Sequence, residues 1–144
     1  MTDDSIVQHA SAVSVSGNGL LAIGPAGAGK STLCLMLMAV GGQLVADDRV
    51  RLWREGDAVL ADAPHTLRGC VEARGVGILR AKPAGPTRLA LVVDLGRTEE
   101  QRLPPCRTRE LLGVRLPLVL GSDQPHFHAA LRQYLIAGRA DQDS

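Results

Sequence analysis

Aromatic side chains are almost missing from this chain: Trp53, Phe127 and Tyr134 are the whole set, 2% of 144 residues. Proteins that hold single-stranded nucleic acid stack its bases on aromatic rings, so no such platform can be assembled here. An excess of one charge is missing too, since a formal net charge of +1 provides no basic field for a nucleic-acid backbone or an anionic membrane surface. The three cysteines, Cys34, Cys70 and Cys106, are widely spaced, odd in number and without a C-x-x-C pair, which indicates neither a disulfide framework nor a thiolate zinc site. The longest apolar run, LCLMLMAV, is far short of the roughly 20 residues that a membrane span needs. The opening MTDDSIVQH is acidic where a secretory leader would be basic. These absences lead to the expectation of a cytoplasmic protein that engages neither nucleic acid nor membrane.

What is present, 45% hydrophobic and 22% charged residues, suits one globular domain over residues 1–144. SIVQHASAVSV, the turn chemistry of SGNG and then LLAI predict a hairpin, with His9 in its first strand. STLCLMLMAVGG predicts a short buried helix closed by glycines, QLVADD a strand, and RVRLWREGDAVLADAP a second hairpin turning at EGD. PHTLRGCVEARGVGIL reads as a loop leading to a strand, RLALVVDL after the breaker KPAGPT as a strong strand, and GRTEEQRLPPCRTRE as a surface connection. RLPLVLG closes the strands, and DQPHFHAALRQYLIAG predicts a helix with Pro125 in its first turn. Hairpins on both sides of the first helix imply an α/β fold with a mixed, largely antiparallel sheet, unlike the repeated β-α-β crossovers of ordinary phosphate-loop NTPases.

The first hairpin runs directly into GPAGAGKST, residues 24–32, which satisfies G-x-x-x-x-G-K-[ST] at every fixed position. In such a loop Gly24, Gly27, Ala28, Gly29 and Thr32 supply backbone amides and close approach to phosphate at a helix N-terminus. Lys30 bridges the β- and γ-phosphates, and Ser31 places its hydroxyl on Mg²⁺. LVADD then sets Asp47 and Asp48 at a strand end, where one carboxylate serves the metal and the other takes a proton. CVEARGVGIL brings Glu72 and Arg74 close together, a second oxygen ligand and a clamp for a transferring phosphoryl group. His9 precedes the loop and is placed to lie over the same site. His126 and His128 have no third ligand near them and read as structural or solvated.

His9, GPAGAGKS, LVADD and EARGVG, in this order, resemble the catalytic domain of the HPr kinase/phosphorylase family, well over residues 7–79 and loosely beyond. The resemblance implies a P-loop fold similar to phosphoenolpyruvate carboxykinase and a short form without an N-terminal regulatory domain. It implies an ATP- and Mg²⁺-dependent serine kinase of the phosphotransferase system acting on HPr or an HPr-like phosphocarrier, assembled as a hexamer. Under it Asp47 is the base, oriented by His9; Asp48 and Glu72 complete the metal side with Ser31; Arg74 lies on phosphoryl oxygens. RAKPAGPT is shorter than the family's corresponding segment, and VLGSDQP lacks the family's arginine, so phosphorolysis is expected to be weak beside the kinase reaction. Two other readings share these residues: a kinase of small hydroxyl compounds, and a nucleotide-sensing protein without catalysis.

Overall fold

The structure, a computed structural model, describes residues 5–141; the first four residues, read above for their charge, and the last three lie outside the described residues. Strands β1 (Ile6–Gln8), β2 (Ser11–Val15) and β3 (Asn18–Ile23) lead into helix α1 (Lys30–Ala39). Strands β4 (Gln43–Ala46), β5 (Val50–Glu55), β6 (Ala58–Asp62), β7 (Cys70–Ala73) and β8 (Gly77–Arg80) follow. Strands β9 (Thr87–Thr98), β10 (Arg107–Leu111) and β11 (Val114–Gly121) precede helix α2 (Phe127–Ala137).

Nine strands form one sheet in the order β1-β5-β6-β9-β3-β2-β4, with β11 also on β9 and β10 on β11. Only β3 with β9 and β9 with β11 run parallel, so the sheet is mixed and largely antiparallel, as the hairpin pattern requires. Alternation along the central strands separates two cores. Val13, Val15, Leu20, Ala22, Leu91 and Val93 face the helices, packing on Leu33, Cys34 and Leu37 of α1 and Leu131 and Leu135 of α2. Ala12, Leu21, Ile23 and Val92 point the other way, onto Val45, Val50, Leu52 and Val59. Because both faces are covered, β2 is buried at every residue although it carries two serines. Helix α1 stops where the N–H groups of Val40, Gly41 and Gly42 turn back to the carbonyls of Leu37 and Met38.

Four expectations are corrected. His9 lies on a bend between β1 and β2, not within a strand. CVEARGVGIL is itself a two-stranded hairpin, β7 with β8, separate from the main sheet. The expected surface connection contributes its last residues to β10, which pairs along its length with β11. Helix α2 begins at Phe127, so Pro125 precedes it instead of occupying its first turn.

Candidate active site

The parallel strand β3 delivers the chain to residues 24–29 at the sheet's carboxyl end, the usual place for a ligand in an α/β fold. Gly27 and Gly29 have φ of 83° and 103°, conformations that a side chain would strain, and they turn the loop onto the first residue of α1. Lys30 is buried, with Nζ donating to the carbonyls of Gly24 at 2.7 Å and Pro25 at 3.2 Å. The ammonium thus folds back over the loop and fills its mouth.

Just past β4 the two aspartates part company. Asp47 is buried, and its Oδ1 accepts from Ser31 Oγ at 2.6 Å and Ser11 Oγ at 2.7 Å. Its Oδ2 accepts the Glu72 N–H at 2.9 Å, which ties β7 to the floor of the site. Asp48 has φ of 70°, a left-handed conformation that costs a non-glycine residue of order 1 kcal/mol or more. The turn is held by Asp48 N–H donating to Ser11 Oγ, Ala10 N–H to Asp48 O, and Arg49 N–H to Asp47 O. It swings the Asp48 carboxylate outward, 61% exposed, where Oδ1 lies 3.5 Å from His9 Nε2. His9 therefore addresses Asp48, where the family resemblance implied that it orients Asp47.

His9, Lys30, Ser31, Asp47, Asp48 and Glu72, together with Arg74, Gly27, Gly29 and Thr32, line one cavity of about 350 Å³. Two of the expected residues do not line it: Gly24, whose carbonyl accepts from Lys30, and Ala28, which lines the recess on the other flank of the loop. Among the described residues no three His, Cys, Asp or Glu side chains converge as a metal cage, so Asp47, Asp48 and Glu72 fan out around the cavity. The hydroxyl and carboxylate oxygens of Ser31 and Asp47 do fit a hard dication such as Mg²⁺, which takes few protein ligands and fills its remaining positions with phosphate oxygens and water. Beneath them Cys34 is fully buried, and that burial, with the Asp47 charge adding to it, pushes its thiol far up, so it stays protonated and inert.

Ser11 escaped the sequence reading. The one signal was a hydroxyl in a strand of mostly apolar residues, a polarity it shares with Ser14. By holding Asp47 with its hydroxyl hydrogen and Asp48 with its oxygen, it fixes the divergence of the pair. Ser11→Ala is expected to weaken Mg²⁺-dependent nucleotide binding about three- to tenfold, measured by calorimetry, by removing one buried hydrogen bond of about 1 kcal/mol and freeing the turn. Unchanged affinity and unchanged turnover would leave Ser11 a strand residue only.

A phosphate loop opening a helix, beside a mixed sheet whose strand end carries two divergent carboxylates, defines an α/β protein of the phosphate-loop class. Residues 2–103 match the family described as the HPr Serine kinase C-terminal domain. The chain is 41% identical over 125 residues to the HPr kinase/phosphorylase of Aromatoleum aromaticum, covering 77% of this chain and 40% of that protein. It is 32% identical over 139 residues to that of Caldicellulosiruptor bescii, covering 88% and 45%. The solved structure of the Hpr(Ser) kinase/phosphatase from Coxiella burnetii shares the fold, with a TM-score of 0.74 at 23% identity over 89% of this chain and 92% of that one. The chain belongs to the HPr kinase C-terminal domain family, and it spans less than half the length of these two curated relatives. Among the described residues no helix is long and apolar enough to cross a membrane.

Proposed function

We propose that this domain transfers the γ-phosphoryl group of ATP to a serine hydroxyl on HPr or an HPr-like phosphocarrier, giving ADP and phosphoserine. The observation that carries this reading is the division of the aspartate pair: Asp47 inward on Ser31, Asp48 outward beside His9. A Mg²⁺ ion, when bound, would neutralise charge between the β- and γ-phosphates. Ser31 and Asp47 are the residues suited to hold it, and Lys30 exchanges the Gly24 and Pro25 carbonyls for phosphate oxygens. Asp48, exposed at the open side of the cavity, accepts the proton of the attacking hydroxyl, and His9 orients its carboxylate. Arg74 meets the transferring phosphoryl oxygens, and Glu72 faces the same space from β7. The roles of Asp47 and Asp48 are thus exchanged from those the family resemblance suggested.

Phosphorolysis requires more cations, because phosphate and phosphoserine repel each other. Arg107 is occupied by Glu99 at 3.1 Å, and Arg109 and Arg115 do not line the cavity, so Lys30 and Arg74 are the lysine and arginine side chains that line it. The kinase direction therefore dominates. The test is transfer of radiolabel from γ-labelled ATP with Mg²⁺, offering purified HPr and, separately, a panel of small hydroxyl compounds. Label on an HPr serine is the expected result. Label on a small compound alone would make this a metabolite kinase, and tight ATP binding without any transfer would make it a nucleotide sensor.

A further inference from the structure

On the other flank of the first turn of α1 lies a second cavity of about 280 Å³. Gly29 and Thr32 line both cavities, so the two recesses meet across the phosphate loop. Their chemistry is opposite. The first is ringed by titratable side chains, whereas Leu33, Met36, Leu95, Pro125 and Phe127 wall the second, and no Asp, Glu, Lys or Arg lines it. Helical periodicity produces the division: Thr32 and Met36, four residues apart, share the flank toward α2, while Ser31 is turned toward Asp47.

We propose that this second cavity receives the base and ribose of the nucleotide whose phosphates lie on the loop. The inference rests on the reading of residues 24–32 as a phosphate site and assigns the place of the rest of the ligand. A triphosphate on the loop amides has two ways to extend. One enters the charged cavity, where a planar base would cover Asp48 and Arg74 and strip them of water, a costly burial, and would block the acceptor. The other enters the apolar recess, where Phe127 and His128 provide ring faces for stacking and Met36 a polarisable thioether. Phe127 is packed against the helix-side core, which prepositions its ring. Ser122 and Gln124 add a hydroxyl and an amide, groups that both donate and accept at a base edge. The volume lies just under the roughly 300–1,000 Å³ of small-ligand sites, room for a nucleoside and little more.

Calorimetric titration of the whole chain with Mg·ATP and with Mg·tripolyphosphate, which has the phosphates and no nucleoside, separates the two readings. Wild type is expected to bind ATP at least about tenfold more tightly than tripolyphosphate. Phe127→Ala should lose about tenfold in ATP affinity and Met36→Ala about threefold, with tripolyphosphate binding unchanged in both. Met36 is 39% exposed, so its truncation tests the cavity even if Phe127→Ala fails to fold. ATP binding no tighter than tripolyphosphate, or equal losses for both ligands in variants with an unchanged melt, would overturn the nucleoside cavity and leave the phosphate loop standing. If wild type binds neither ligand, the phosphate reading fails, and this inference with it.

Discussion

Lys30→Ala is expected to lower phosphoryl transfer by about 10²–10³-fold, the usual loss when one preorganised group aimed at developing charge is removed. Lys30 is 8% exposed, and its ammonium is already held at the loop mouth by two carbonyls. Moving it onto phosphate oxygens asks for a short swing and little new desolvation, so most of its electrostatic work is available in the transition state. No second cation is held at the loop mouth, because Arg74 is exposed on the turn after β7. The fold should survive, since the Gly24 and Pro25 carbonyls that lose a donor are within reach of water. Lys30→Arg should rescue poorly, because a planar guanidinium does not fit where a compact ammonium points into a narrow loop. Steady-state transfer to HPr, with thermal melts as a control for folding, measures both variants. Transfer by folded Lys30→Ala within tenfold of wild type would remove the loop from the mechanism.

The parts of the fold written in side-chain pattern were legible in the sequence. Apolar alternation with SGNG predicted β2 and β3 as a hairpin, and two such hairpins predicted a mostly antiparallel sheet. The parts that depend on edge pairing were not. β10 carries exposed Arg109 and Glu110 and gains its strand character only by lying along β11, so its composition looks like a connection. The β7–β8 hairpin stands apart from the main sheet, exposing Val76 and Ile78, and its glycines concealed the pairing. The members of the site were legible in the same way, because loop, LVADD and EARGVG each carry their chemistry in residue type. The opposite directions of the two carboxylates were not. They turn on the left-handed φ of Asp48 and on the two hydrogen bonds of Ser11, one donated to Asp47 and one accepted from the Asp48 N–H, and neither leaves a mark in the order of two identical aspartates.

Asp48→Asn is expected to lower kcat by about 10²–10⁴-fold, the range for a lost general base, with Mg·ATP affinity within about threefold of wild type. The amide keeps the shape and tolerates the left-handed turn at residue 48, where asparagine is among the least strained of the larger residues. What it loses is the charge of the exposed carboxylate of the pair, the group proposed to accept the proton. Asp47→Asn acts elsewhere. Its carboxylate is committed to three donors, the hydroxyls of Ser31 and Ser11 and the Glu72 N–H, and an amide offers one acceptor oxygen in place of two. Ser31 is then released or turned, and the metal-side charge falls by one. The expected result is a rise of at least about tenfold in the Mg²⁺ concentration needed for half-maximal transfer, since ligand loss costs metal affinity before it costs the chemical step. Titrating Mg²⁺ at saturating ATP therefore distinguishes the two: raising the metal should recover much of the rate for Asp47→Asn and none for Asp48→Asn. Recovery by Asp48→Asn, with a metal-independent loss for Asp47→Asn, would restore the assignment that the family resemblance implied.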